Sequence, residues 1–287
     1  MKTKVHTLNV FGINKDGGNP AGVVLDSEKL SDSKMKKISK KVGYSETAFI
    51  SKSKKADYKI RFFTPKKEID ICGHATIASA FLLKKLEKIE ESEFTQESNL
   101  GVLRLKSKKD EIFMELQKPE FNGYLDRNTI STFLNIKVED IANDLHPEIV
   151  STGLRDVIVP LKKLKTLENL QPNFERMSKF NNDTSTIGLH IFTLETKDKE
   201  STAHTRNFAP LYDINEESAT GSSNGSLACY LHKHKRIKKT KNLSFEQGYS
   251  MQMPSKINVN LTIQNDKIEE VWVGGKAVIK EKIEVSI

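Results

Sequence analysis

The sequence predicts an α+β fold built from two similar halves, and three observations carry that expectation. Strand-like period-2 patterns outnumber helical ones. Two segments, 73–85 and 221–233, are rich in Ala, Leu and Ser and carry no charge until their last turn, the mark of a buried helix. And a short motif recurs: Arg61-Phe62-Phe63-Thr64-Pro65 returns as Arg206-Asn207-Phe208-Ala209-Pro210, an R-x-F-x-P pattern 145 positions further on.

The elements follow in chain order. Segments 7–11 and 21–25 are β-rich runs, separated by the turn formers Asp16-Gly17-Gly18-Asn19-Pro20. Ser31 is placed to cap a short helix that runs to Lys41. Tyr58, Ile60 and Phe62 alternate with polar residues, as a half-buried strand requires. Helix 73–85 comes next. Segments 100–105 and 111–116 read as a hairpin across the Lys-rich stretch 106–110, and 187–194, 243–245, 257–263 and 270–273 read as further strands. The second buried helix, 221–233, falls among them. Strands and helices mix without a regular βαβ alternation, which argues α+β.

The repeat extends past its motif. Cys72-Gly73-His74 opens one buried helix and Thr220-Gly221-Ser222 opens the other, now 148 positions apart, with Ala80 matching Ala228 and Leu83 matching Leu231. A duplicated strand–turn–helix implies two similar domains facing a common cleft, a preferred place for a small ligand. Two glycine-led helix N-termini aimed into such a cleft would offer free N–H groups to an anion. The expected ligand is a small carboxylate-bearing molecule, or a substrate that becomes enolate-like during reaction.

Composition narrows the classes. The 287 residues hold 46 Lys+Arg against 38 Asp+Glu, a net charge of +8, and only seven of those cations are Arg. Nucleic-acid sites favour Arg for its bidentate fork. The densest basic stretch, 232–241, interleaves no aromatic residue for stacking, so it reads as a solvated helix end and no nucleic-acid partner is expected. Two cysteines, Cys72 and Cys229, make neither a disulfide scaffold nor a four-cysteine zinc site, and they suit a reducing cytoplasm. The longest mostly apolar run, 71–83, is too short for a bilayer, which needs about 20 residues. No membrane partner is expected.

Familiar catalytic motifs fail on their context. Gly221-Ser222-Ser223-Asn224-Gly225 matches G-x-S-x-G, yet no acid followed by a histidine comes after it, so a hydrolase triad is excluded. The sequence has no P-loop, no strand-borne G-x-G-x-x-G and no H-E-x-x-H. His232 and His234, two apart on a helix, cannot share a face. No catalytic metal is expected.

A set of ordered segments then resembles a known family. These are Asn19-Pro20-Ala21-Gly22-Val23-Val24, Ser45-Glu46-Thr47-Ala48-Phe49, Phe63-Thr64-Pro65, Glu68-Ile69-Asp70-Ile71-Cys72-Gly73-His74-Ala75-Thr76, Thr152-Gly153, Val159-Pro160-Leu161, Phe208-Ala209-Pro210, Ala219-Thr220-Gly221-Ser222, Gln247-Gly248, Pro254-Ser255 and Val273-Gly274-Gly275. Together they resemble the PhzF-like isomerases of phenazine biosynthesis, whose fold is that of diaminopimelate epimerase. The resemblance implies two pseudo-symmetric domains, each a curved, mostly antiparallel sheet wrapped around a central buried helix, with the active site in the cleft between them. With the repeat, it divides the chain into 1–118 and 119–276, the strand 277–287 being able to join the first half.

The resemblance also implies cofactor-independent proton transfer in a cytoplasmic homodimer. Glu46 would be the general acid/base. His74, Gly73, Glu217, Gly221 and Ser222 would surround the substrate, with Asp70, Cys72 and Thr220 beside them. On physical grounds Glu46 needs a dry setting to act on a C–H bond, and Tyr44, Ala48, Phe49 and Ile50 could supply it. Two departures matter. Diaminopimelate epimerases oppose two cysteines; Cys72 matches the first place but Thr220 stands at the second. Where the family carries Asp-Pro, this chain has Glu217-Ser218. Three other readings stay open: an epimerase using Cys72 with a non-thiol partner, a non-catalytic ligand-binding protein, and a nucleic-acid binder acting through 232–241.

Overall fold

The computed structural model describes residues 2–287, which fall into two units. One runs to Glu115 and resumes at Gly274–Ile287; the other is Leu116–Val273. Among the described residues, no helix is long and apolar enough to cross a membrane.

The first unit contains β1 (Lys2–Val10), β2 (Asn19–Val24), α1 (Asp32–Val42), β3 (Thr47–Ser51), β4 (Tyr58–Phe63), β5 (Glu68–Ile69), α2 (Gly73–Lys85), β6 (Glu93–Ser98), β7 (Gly101–Lys108) and β8 (Glu111–Leu116). The second contains β9 (Glu120–Tyr124), α3 (Arg127–Leu134), β10 (Glu148–Ser151), β11 (Arg155–Pro160), α4 (Leu164–Glu168), α5 (Phe174–Thr184), β12 (Gly188–Thr193), β13 (Ala203–Ala209), β14 (Ile214–Glu217), α6 (Gly221–Lys233), β15 (Leu243–Gln247) and β16 (Ser255–Gln264). Strand β17 (Lys267–Ser286) starts in the second unit and ends in the first, where it pairs antiparallel with β1 from Val10↔Ala277 to Lys2↔Ser286.

The two units repeat one order of pairings. In the first, β1–β2 is antiparallel, β2–β3 parallel, β3–β4 antiparallel, β4–β6 parallel and β6–β7 antiparallel. In the second, β10–β11, β11–β12, β12–β13, β13–β15 and β15–β16 follow the same sequence. A parallel pair needs a crossover connection, and helices supply each one: α1 and α2 in the first unit, α4 with α5 and then α6 in the second.

Helices α2 and α6 are buried along ten residues each, from His74 to Leu83 and from Ser223 to Leu231 with Gly221. Such all-round burial is what an uncharged helix surface requires. Helix α2 packs on β1, β2 and β3, and α6 on β10, β11, β12 and β16. Outer helices cover a further core. In the first unit Met35 and Ile38 of α1 pack with Val5, Val24, Phe49 and Phe63; in the second Ile130, Phe133 and Met177 of α3 and α5 pack with Val157, Val159, Ile191 and Phe208. Each such side chain, fully buried, contributes about 1.5–3 kcal/mol.

The repeated motif has a structural purpose. Arg61 stacks over Phe63, 5.1 Å from the ring centre, and forks onto Glu68 at 2.7 and 2.6 Å. Arg206 stacks over Phe208 at 4.9 Å and forks onto Glu216 at 2.9 and 2.8 Å. In each unit a bidentate pair therefore ties the strand before the buried helix to the short strand leading into it.

Several element boundaries differ from the sequence reading. Ser31 sits at the N-cap of α1, yet its side chain makes no capping bond; Asp32 in the first turn supplies the favourable charge instead, and Gly43 (φ 77°) ends the helix by donating its N–H to Ser39 O. The hairpin turn shrinks to Lys109-Asp110, because the backbone ladder continues through Lys106–Ser107–Lys108 whatever their side chains. The strand read as 270–273 continues to Ser286: its charges are on exposed positions and its other ladder is β1. Helices α3, α4 and α5 and strands β3, β6, β9, β10, β11 and β14 were not anticipated; α5 shows only a thin apolar stripe, Phe174, Met177 and Phe180.

The basic stretch 232–241 is partly consumed internally. Lys233 and His234 both hold the buried carboxylate of Glu148, Lys233 lies over the rings of Phe121 and Tyr124, and Arg236 pairs with Asp144.

One close approach gives a stability prediction. At Gly188, the first residue of β12, a Cβ would run into the carbonyl oxygen of Phe208. Gly188→Ala should cost about 1–3 kcal/mol in urea unfolding. An unchanged midpoint would mean that this strand pair has slack.

Candidate active site

Glu46 is the last residue before β3, where its carbonyl accepts from Gly22 N–H at 3.2 Å. His74 is the second residue of α2 and Cys72 its N-cap. The fold brings these three together: Glu46 Oε2 lies 3.2 Å from His74 Nε2, and Cys72 Sγ lies 3.5 Å from His74 Nδ1. All three are buried, with 7, 4 and 7% of their surface exposed for Glu46, His74 and Cys72. The amide nitrogen of Asn19, at the start of β2, lies 3.2 Å from His74 Nδ1. Nδ1 therefore faces the amide and the sulfur, and Nε2 faces the carboxylate.

Electrostatics couples the group. Burial pushes the Glu46 carboxyl up, as its apolar neighbours led one to expect, but hydrogen bonds from His74, Ser45 and Cys72 outweigh burial and hold it below the ordinary glutamate value. Burial pulls His74 down, and the Cys72 sulfur and Glu46 carboxylate more than reverse this, leaving the ring well above its ordinary value. Burial, with the Glu46 charge, raises the Cys72 thiol to about 11. Burial thus opposes both charges, while the Glu46 carboxylate and the His74 ring each favour the charged form of the other.

The second unit has a polar cluster at the matching helix end. Thr220 is the N-cap of α6, with backbone angles (φ −124°, ψ 103°) close to those of Cys72 (φ −147°, ψ 115°). Neither residue caps its helix with its own side chain. Thr220 Oγ1 donates instead to Glu217 Oε2 at 2.7 Å. Gln247 braces this turn, accepting from Thr220 N–H at 3.1 Å and Asn224 Nδ2 at 2.9 Å and donating to the Glu217 carbonyl at 2.8 Å. Below it His190 is wedged between Asn207 and Asn224 at 3.1 and 3.2 Å, and burial lowers it to about 4, so it stays neutral.

Asp156 is the unusual acid of this unit. Its Oδ2 accepts from Ser223 at 2.7 Å while its buried Oδ1 has no partner, and burial raises it to about 7, assisted by the nearby Glu217 charge and opposed by Ser223. An acid raised on folding is stabilised by its proton. The folded state keeps that proton between the unfolded value near 3.8 and the folded value about 7, so stability falls as pH rises through that window. Asp156→Asn should remove this slope, gaining on the order of a few kcal/mol over the native chain above pH 7. Melting temperatures at pH 5 and pH 8.5 check it; parallel slopes for the two proteins would refute it.

The residues singled out in the sequence thus separate by unit. Glu46, Cys72, Gly73 and His74 gather in the first, and Glu217, Thr220, Gly221 and Ser222 in the second. Asp70 stands apart, exposed just beyond β5 and bonded to Asn99 at 3.4 Å. Ser223, the serine of the G-x-S-x-G match, donates its hydroxyl hydrogen bond to Asp156 rather than to a histidine. Cys229 is fully buried in α6, where burial pushes its thiol up. Sequence reasoning missed Asn19, Asp156, Asn224 and Gln247. Three of these, Asn19, Asn224 and Gln247, stood inside quoted segments, but nothing in a segment's letters shows which polar residue turns inward.

Comparison with known proteins agrees with this architecture. The family model for phenazine biosynthesis-like proteins matches residues 8–282. An uncharacterized isomerase of Clostridium acetobutylicum is 34% identical, the match covering 99% of this chain and 98% of the relative. The crystal structure of a phenazine biosynthesis protein of the PhzF family from Bacillus anthracis superposes with a TM-score of 0.92 at 29% identity, covering 100% of both chains. A hydroxyproline epimerase from Agrobacterium vitis shares the fold with a TM-score of 0.64 at 11% identity, covering 100% of this chain and 93% of that one. Kin to such isomerases along nearly its whole length, the chain belongs to the phenazine biosynthesis-like protein family and is an isomerase.

Proposed function

We propose that this isomerase moves a proton along a small carboxylate-bearing substrate, with Glu46 as the general acid/base and no cofactor. The observation that carries the reading is the buried contact of 3.2 Å between Glu46 and His74. An ionised carboxylate in a dry setting can take a proton from carbon beside a carbonyl or double bond. His74, as an imidazolium, stabilises the anion that results and is the nearest acid to return a proton. The N–H groups of Gly73 and Gly221 supply neutral donors to oxygen atoms of the substrate, and Glu217, Thr220 and Ser222 add polar contacts. Homodimeric assembly, a cytoplasmic setting and a biosynthetic role belong to the same proposal.

A second reading makes Cys72 the proton carrier of an epimerase. With its thiol near 11 it is a proton donor at neutral pH and a poor base, so Glu46 keeps the first step. The test is exchange of carbon-bound hydrogen with solvent deuterium across a panel of small carboxylic acids. Loss of exchange in Glu46→Gln supports the assignment. Loss in Cys72→Ala with full exchange in Glu46→Gln gives the step to the thiol, and no exchange with any acid of the panel refutes the proposed substrate class.

A further inference from the structure

The donor atoms of Glu46, Cys72 and His74 all lie within 4.8 Å of one another. They offer one carboxylate oxygen, one sulfur and one imidazole nitrogen. That mixture suits a borderline-soft cation and not magnesium or calcium, which want six or more oxygens. With zinc bonds of about 2.3 Å to sulfur and 2.0–2.2 Å to nitrogen and oxygen, ligand atoms at tetrahedral corners stand roughly 3.3–3.6 Å apart. Here Nε2–Oε2 is 3.2 Å and Nε2–Sγ is 3.8 Å, so two edges of that tetrahedron nearly exist already.

We infer that this cluster takes a divalent cation of the zinc class on Glu46, Cys72 and His74, leaving a fourth position for water, and that occupancy switches proton transfer off. The second half rests on the proposed role of Glu46: the carboxylate oxygen given to the metal is no longer free to take a proton. The thiol releases its proton to solvent on binding, and the imidazole binds through Nε2 as the neutral ring. Its remaining proton, on Nδ1, then faces Asn19, whose amide turns its oxygen toward it.

Cobalt(II) is the probe, added to the chelator-treated full chain. A tetrahedral cobalt–thiolate site gives strong visible bands and a sulfur-to-cobalt charge-transfer band. We expect both, at one cobalt per chain, with displacement by zinc. Cys72→Ser should abolish the charge-transfer band, Cys229→Ser should retain it, and Asn19→Ala should keep it while weakening cobalt roughly 10–100-fold. Only the pale spectrum of hydrated cobalt, or a band that survives Cys72→Ser, overturns the site. Full exchange activity at full cobalt occupancy overturns the switch. Metal-free exchange in Glu46→Gln reports on the base alone, so either idea can fall without the other.

Discussion

Glu46→Gln is expected to slow substrate-dependent deuterium exchange by about 10²–10⁴-fold, the usual contribution of a positioned acid/base. Gln keeps the shape and still accepts from His74 Nε2, so the melting temperature at neutral pH should move far less than the rate. The pH response separates this from a structural role. Glu46 is depressed on folding and His74 raised. The stability owed to Glu46 is present above its ordinary value and lost as pH falls through the lower folded value. That owed to His74 is present below its ordinary value and lost as pH rises through the higher folded value. The native pair therefore stabilises most between the two ordinary values, about 4.5 and 6.5, and declines on both sides. In Glu46→Gln this maximum should flatten. A variant with native exchange would end the assignment; one with lost exchange and an unfolded spectrum would show that the carboxylate serves the fold instead.

Arg206→Ala is expected to be the more damaging of the two arginine truncations. Besides its fork onto Glu216, the guanidinium donates to the carbonyls of Leu167, Glu168 and Leu170 at 3.0–3.3 Å, where α4 ends. Only 9% of its side chain is exposed, against 24% for Arg61. Truncation takes the guanidinium from the Glu216 carboxylate and from three carbonyls, leaving Ser250 on Glu216 and the Leu170 N–H on Leu167 O, and removing one partner of a buried pair costs about 3–5 kcal/mol. Arg61→Ala, better hydrated and without those carbonyls, should cost clearly less. Arg206→Lys should fall between, because it keeps the charge and loses the fork. Urea titrations of the three variants decide it; equal losses for Arg61→Ala and Arg206→Ala would show that the carbonyl cradle contributes nothing.

The duplicated plan was legible because it rests on features that local sequence displays: an arginine, a phenylalanine and a proline at fixed spacing, and two helices without charge. Its glutamate partners were not, because Glu68 and Glu216 lie at different offsets from their arginines. Glu46 and His74 could be named by resemblance, and their contact could not, since 28 residues of chain separate them. The upward pKa shift expected for Glu46 reversed for the same reason: burial is readable from neighbours in sequence, while the largest opposing hydrogen bond comes from His74, on a helix elsewhere in the chain. Asp156 looked like an ordinary charged residue in a stretch to which the sequence assigned no element. Only the pairing of β11 with β12 and the turn of α6 above it enclose it.

Strand β1 waits for a partner made almost at the far end of the chain, Lys2 opposite Ser286. During synthesis the second unit is complete at Val273, before the first unit receives its closing strand. The first unit must therefore spend most of translation with one strand edge open, a state in which unpaired backbone invites wrong partners. Lysines and glutamates crowd 280–284, and charges on an unpaired strand oppose wrong edge-to-edge pairing. The order in which the ribosome delivers the chain thus places the closing of the first unit, with Glu46 and His74 inside it, after the second unit is complete.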